Sequence, residues 1–274
     1  MPVNYHDLFK VEPNAHVRLS KIDPDFKGKH ENKKAAEGEM DTDVQKLHKL
    51  QYQLYAEHTH SLLICLQGID AAGKDGTISH VFGALNPQGA RVHGFGVPSK
   101  EEADHDFLWR AHIPAPKKGE IVIFNRSHYE SVLVGRVHKL VPEKVVRERY
   151  ELINCFEENL HAAGVRILKF YLHISEDEQL DRFKDRLDDP SRHWKISEAD
   201  YTERSFWPDY MAAYEETLSR TSTEHAPWFV IPANYKWFRN LAVAKIVVEL
   251  LEGLKMSLPP TTVDIDEIRR KYHI

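Results

Sequence analysis

Gly68-Ile69-Asp70-Ala71-Ala72-Gly73-Lys74-Asp75-Gly76-Thr77 is the stretch on which the reading of this chain turns. Ahead of it lies Ser61-Leu62-Leu63-Ile64-Cys65-Leu66-Gln67, a short apolar run that reads as a buried strand. Behind it, Gly76–Leu85 reads as a helix stopped by Asn86-Pro87. A phosphate needs many donors and little steric bulk around it. Gly68, Gly73 and Lys74, at Gly-x₄-Gly-Lys spacing between strand and helix, offer backbone N–H groups, a helix start and one ammonium. Ala71, Ala72, Asp75, Gly76 and Thr77 complete the candidate cradle, against the blander reading of an ordinary strand–turn–helix.

The cradle departs from the usual form in two places. Asp75 follows Lys74 where a Ser or Thr hydroxyl would hold Mg²⁺, and Thr77 comes two residues later. Asp70 places a carboxylate inside the loop, where it repels phosphate unless a Mg²⁺ ion lies between them. Asp70 is therefore the candidate metal ligand; the alternative is a cap for the following helix.

A second constellation follows the strand-like Ile121-Val122-Ile123-Phe124: Asn125-Arg126-Ser127-His128-Tyr129-Glu130. Polar residues at the end of an apolar strand are where such a fold places its second catalytic segment. Asn125 stands where an Asp partner to the metal is expected, and Glu130 restores a carboxylate nearby. Arg126 is a candidate for neutralising phosphate charge. A surface ion pair is the competing reading of Arg126 and Glu130.

The rest of the chain supplies the frame. Residues 1–45 read as an irregular arm, with Lys27–Glu39 solvated, ahead of a helix over Asp43–Glu57. Arg91–Val97, Val165–Ile174 and Trp228–Ile231 are further strands. Pro142–Ala163, Glu176–Leu187, Glu198–Leu218 and Trp237–Lys255 are helices, and Ser99 caps another. Alternating strands and helices imply a parallel sheet covered on both faces, in one kinase-like domain over 46–258 with a tail over 259–274.

The 274 residues are 42% apolar, enough for one large core. Mean hydropathy is −0.52 and no run approaches a membrane span. Met1–Lys10 lacks a basic-then-apolar pattern, so no secretory signal is expected. Cys65 and Cys155 both sit in apolar runs and read as buried thiols of a cytoplasmic protein. The net charge of −5 and pI near 6.4 argue against a nucleic-acid binder. Arg182 and Arg186 share one helix face, and Arg192, His193 and Lys195 follow in a Pro-containing loop. They read as a mobile lid over phosphates, about 176–205, or equally as a solvated helix balanced by Glu178, Asp181 and Asp185.

Taken in order, these motifs resemble the polyphosphate kinase type 2 family. The resemblance rests on Gly68-x-Asp70-Ala71-Ala72-Gly73-Lys74-Asp75-Gly76 and Phe124-Asn125-Arg126-Ser127-x-Tyr129-Glu130. It extends to Asp106-Phe107-Leu108-Trp109-Arg110, Asp189-Pro190-x-x-His193-Trp194-Lys195 and Ala226-Pro227-Trp228. Asn125 with Glu130, in place of the family's frequent Phe-Asp-Arg-Ser, resembles the subgroup acting on both AMP and ADP. The resemblance implies an α/β fold, a three-layer α/β/α P-loop kinase with a parallel sheet and helical lid. It implies phosphoryl transfer between inorganic polyphosphate and AMP or ADP, giving ADP or ATP, in a Mg²⁺-dependent homo-oligomer. It favours Arg182 and Arg186 as phosphate ligands and adds Arg136 to the polyphosphate path. The rival expectations are an ATP-dependent nucleotide kinase and a non-enzymatic polyphosphate or nucleotide sensor.

Overall fold

The computed structural model describes residues 4–273. The chain opens with helix α1 (Tyr5–Phe9), strand β1 (Lys10–Val11), helix α2 (Lys33–Glu57) and strand β2 (Ser61–Gln67). Helix α3 (Lys74–Thr77) continues into a wider π-turn over Ile78–Phe82, followed by β3 (Ala90–Gly94), α4 (Lys100–Asp104), α5 (Trp109–His112) and β4 (Ile121–Asn125). Then come α6 (Val134–Val137), α7 (Glu143–Ala162), β5 (Val165–His173), α8 (Glu176–Asp188), α9 (Glu198–Arg204) and α10 (Trp207–Thr221). Strand β6 (Trp228–Pro232), α11 (Lys236–Gly253) and α12 (Ile265–Tyr272) close it.

All seven residues of β2 are buried, because helices cover both faces of the sheet. Alternate side chains go to opposite sides. Leu62, Ile64 and Leu66 join the core that contains Val243 and Val247 of α11. Leu63 and Cys65 join a second core with Phe156 and Leu160 of α7. The six strands lie in the order β1-β6-β5-β2-β4-β3. Strand β2 runs parallel to β4 (Cys65 opposite Phe124) and to β5 (Ser61 opposite Val165), while β1 joins β6 antiparallel. The chain builds one side of β2 through β3 and β4, then crosses to β5 on the other. The carboxyl end of β2 is therefore the topological switch point, where α/β sheets leave a crevice. The glycine loop begins there.

Boundaries read from the sequence hold for most elements. Pro142 caps α7, and Gly164 at φ +93° ends it. Ser99 forms a capping box with Glu102. The first 45 residues differ from expectation. Helix α2 starts at Lys33 with Asn32 as its cap, and Ala36 is buried within the stretch expected to be solvated. Tyr5, Phe9, Val11, Val17 and Leu19 are also buried. Tyr5, Phe9 and Phe26 pack their rings around Phe238 of α11. These apolar residues are spaced too irregularly to show a period, because a strand and an aromatic cluster use them in place of one helix face. The expected helix over Glu198–Leu218 is broken at Ser205-Phe206, just ahead of Pro208. Cys65 is buried as expected, but Cys155 is exposed on α7. Residues 259–274 include α12, whose side chains all face solvent. Among the described residues no helix is long and apolar enough to cross a membrane.

Candidate active site

The loop from Gly68 to Gly73 is shaped by contacts only glycine permits. A Cβ on Gly68 would lie 2.8 Å from the Ala72 Cβ and 3.0 Å from the Leu172 carbonyl oxygen. Gly73 has φ +106°, and a Cβ there would meet the Arg239 Nη1 at 1.8 Å. Ala71 also takes a left-handed φ of +61°, which costs a residue with a Cβ about 1–2 kcal/mol. The Ala72 N–H closes the turn onto the Ile69 carbonyl at 3.1 Å. Beyond Gly73 the first-turn N–H groups have no intrahelical acceptor. Lys74 folds back over the loop, its Nζ donating to the carbonyls of Gly68 (2.7 Å) and Ile69 (3.2 Å). Burial, reinforced by the Arg126 charge, pushes the Lys74 pKa down against the pull of Asp70, Glu130 and Asp75.

The second segment meets the loop directly. Arg126 follows β4 with φ +60°, its N–H held by the Leu66 carbonyl at 3.0 Å. Its Nη2 donates to Asp70 Oδ1 at 2.9 Å, and Nη1 lies 3.8 Å from Glu130 Oε2. Burial works against the Arg126 charge, but Glu130 and Asp70 outweigh it and hold its pKa above the usual value. Burial raises the Glu130 carboxyl pKa despite Arg126 and Lys74. Asn125 donates from Nδ2 to Asp75 Oδ1 at 2.8 Å, and Lys195 Nζ lies 3.5 Å from Asp75 Oδ2. Burial opposes ionisation of Asp75, yet the Asn125 hydrogen bond and Lys195 hold its pKa low. Underneath, the Tyr129 hydroxyl donates to buried Glu157 at 2.8 Å and accepts from Lys169 Nζ at 2.9 Å. Ser127 accepts from Gln67 at 3.0 Å. Ser127 and Tyr129 thus anchor the segment that presents Arg126 and Glu130.

A cleft of about 1260 Å³ opens over the loop. Asp70, Ala71, Gly73, Lys74, Asp75, Gly76, Asn125, Arg126, Arg186, Arg192 and Lys195 all line it, as the sequence leads one to expect. A smaller pocket on the far side shares Asp70 and Arg126 and adds Glu130, Trp207, Tyr210 and Tyr214. Three expected site residues line neither pocket, and a fourth, Arg182, borders the cleft with no donor free. Arg182 is buried and its guanidinium is fully committed: Nε to Glu178 (2.6 Å), Nη1 to the Ala71 and Ala72 carbonyls (2.8 and 2.9 Å), Nη2 to those of Ala233 and Asn234. Its five donors hold up the loop and leave none for a phosphate. Arg136 ion-pairs with Glu216 (2.8 Å) and Glu143 (3.0 Å) outside the cleft. Thr77 is fully buried, its hydroxyl donating to the Gly73 carbonyl at 3.2 Å. Ala72 is buried and contributes its carbonyl to Arg182.

Sequence reasoning missed two contributors. One is the wall formed by Lys33, Glu37, Met40 and Asp41 of α2, within the segment taken for a solvated arm. The other is Arg239 on α11, 3% exposed beside Gly73. An arginine among Phe238, Leu241, Ala242 and Val243 was its signal, since charge inside a buried helix calls for a partner.

A model of the family described as polyphosphate kinase 2 matches residues 30–259. The chain belongs to the polyphosphate kinase 2 family. Within it, the chain is 50% identical over 252 residues to an AMP/ADP-polyphosphate phosphotransferase of Meiothermus ruber, covering 92% of this chain and 94% of that one. It is 45% identical over 270 residues to an ADP-polyphosphate phosphotransferase of Rhodopseudomonas palustris, covering 93% and 92%. Its fold superposes on the crystal structure of polyphosphate kinase 2 from Arthrobacter aurescens TC1 with a TM-score of 0.95 at 39% identity, over 98% and 96% of the two chains. The three-layer kinase fold read from the sequence is that of the family.

Proposed function

We propose that this chain transfers a phosphoryl group between inorganic polyphosphate and AMP or ADP, forming ADP or ATP, by direct in-line displacement. The observation that carries this reading is the cleft itself. Lys74, Arg126, Arg186, Arg192, Lys195 and Lys236 converge over one glycine loop, in a chain of net charge −5. Such local focusing suits a polyanion. The names of the family relatives support both substrates.

Lys74 trades its two carbonyl acceptors for phosphate oxygens, and Arg126 spreads positive charge over the group in flight. Asp70 and Arg126 stand hydrogen-bonded to each other on the wall of the large cleft, at the point where donor and acceptor phosphates would meet. Lys195, tied to Asp75 at 3.5 Å, links the segment 190–195 to the loop. The 176–205 region acts as a lid, with the base of α8 fixed by buried Phe183 and Arg182 while Trp194 is 78% exposed.

Mg²⁺ is part of the proposal. Among the described residues no three of His, Cys, Asp and Glu gather into a metal cage. Mg²⁺ is ordinarily held by one or two carboxylates together with waters and substrate phosphates. Asp70 borders the cleft, keeps Oδ1 on Arg126 and, among the described residues, has no hydrogen-bond partner on Oδ2. Mg²⁺ bound there would neutralise phosphate charge. A homo-oligomer belongs to the same reading, supported by exposed Val263, Ile265, Ile268 and Tyr272 around α12; a monomeric mass by light scattering contradicts it.

The test supplies AMP and ADP separately with Mg²⁺ and polyphosphate and no other donor. Formation of ADP and ATP is expected, and no product from either nucleotide contradicts the reading. An acid-stable or base-stable phosphoenzyme on the reaction path contradicts direct transfer.

A further inference from the structure

The back of the cleft holds a cation that this reading leaves unused. Arg239 Nε and Nη2 donate to Asn240 Oδ1 at 3.1 and 2.9 Å, and Nη1 donates to the Ala72 carbonyl at 3.3 Å. A guanidinium carries five N–H bonds, so two have no acceptor here. All the acceptors are neutral. Among the described residues its charged neighbour is Arg182, a like charge, and burial with that neighbour pushes the Arg239 pKa down to about 9. A buried charge without a counter-charge is strongly unfavourable. The loop nevertheless makes room for it. Cβ atoms on Gly73 and Gly76 would lie 1.8 and 3.0 Å from its nitrogens, so side chains there would drive the guanidinium away. Arg182, which shares the Ala72 carbonyl with it and has all five donors spent, does the structural work of holding the loop. A second arginine is not needed for that.

We propose that Arg239 is a phosphate-contacting residue, its two free N–H bonds receiving oxygens of a phosphate chain seated on the loop 68–77. This deepens, and rests on, the reading of the cleft as a polyphosphate–nucleotide site. The missing counter-charge is the ligand's own, and the chain's two sources of phosphate are polyphosphate and the nucleotide.

The experiment measures Kd for polyphosphate alone and for ADP alone, with the ligand-free melting temperature, in wild type, Arg239→Met and Arg239→Lys. Arg239→Met is expected to melt, ligand-free, at or above the wild-type temperature, since it removes an unpaired buried charge. It is expected to weaken phosphate binding roughly ten- to a hundredfold, with Arg239→Lys in between. Weakening confined to polyphosphate assigns the site to the donor chain, and weakening confined to ADP assigns it to the nucleotide. Weakening of both supports one position used by either. Unchanged affinity for both overturns the proposal, and a lowered melting temperature with unchanged affinity makes Arg239 a prop. If Arg239→Met does not fold, unchanged binding in folded Arg239→Lys overturns it equally. Wild type that binds without turning over refutes the kinase reading and leaves the anchor standing; wild type that binds neither ligand overturns both.

Discussion

Two regions bring positive charge to the same cleft in opposite ways. Beneath the loop, Arg182 and Arg239 are buried and fixed, 5% and 3% exposed. Over the loop, Arg192 and Lys195 are partly in solvent and paired with exposed carboxylates, Arg192 with Asp189 at 2.9 Å and Lys195 with Asp75 at 3.5 Å. The first arrangement is preorganised and costs nothing to reorient during transfer. The second holds its charge on long side chains whose ordering costs entropy, which suits the lid role proposed for 176–205. On the proposed function, the floor acts through fixed contacts, Arg182 on the loop and Arg239 on the phosphate, and the lid adds capture.

Substitutions that break this contrast are ordered by size. Arg182→Met leaves the carbonyls of Ala71, Ala233 and Asn234 without their donors, while Ala72 keeps Arg239; at roughly 1 kcal/mol each it is expected to lower stability by about 3 kcal/mol in denaturant titration. Activity falls with it, because the loop loses its support. Lys74→Ala is expected to lower kcat by about 10²–10³ with the fold intact by circular dichroism; a change confined to KM would deny Lys74 its transition-state role. Lys195→Ala, on the lid, is expected to raise KM for polyphosphate roughly fivefold with kcat nearly unchanged. A fall in kcat as large as that of Lys74→Ala would erase the distinction between floor and lid. Arg136→Ala lies outside both regions and is expected to cost about 1 kcal/mol of stability and no activity.

The smallest effect concerns α2, which forms a cleft wall and packs on α11. Burial opposes the Glu39 charge, but Lys245 (3.0 Å), His30 (3.2 Å) and Lys29 (3.3 Å) hold its pKa at about 2, below its ordinary 4.5. A depressed carboxyl pKa stabilises the fold above the unfolded value and loses that contribution as pH falls through the folded one. Glu39→Gln is expected to be less stable than wild type at pH 7, the gap closing between pH 4.5 and 2. A gap independent of pH would assign the effect to packing.

Where a residue's job is local, its sequence told it. The apolar run at 61–67, the glycines at 68 and 73 and the polar end of β4 at Asn125 each show a pattern in adjacent residues, whatever they touch across the fold, and each was legible. Arg182 was not. Its spacing from Arg186 is real, but burial turns its donors inward to carbonyls of the loop and of residues 233 and 234, far away in sequence. Arg136 likewise meets Glu216, eighty residues on. The N-terminal segment hid its core role because its apolar residues feed a strand edge and an aromatic cluster, neither of which has a helical period. The two arginines of the floor illustrate the limit: sequence gives the charge, and only the fold gives the count of free donors.

We propose the loop 68–77 as a phosphate cradle with its metal ligand, Asp70, standing inside it. A Mg²⁺ titration of the polyphosphate-driven rate, wild type beside Asp70→Asn, tests it most directly. A large loss of rate is expected in Asp70→Asn, with a rise in the Mg²⁺ concentration needed for half its maximum. Full activity with an unchanged Mg²⁺ dependence would contradict it.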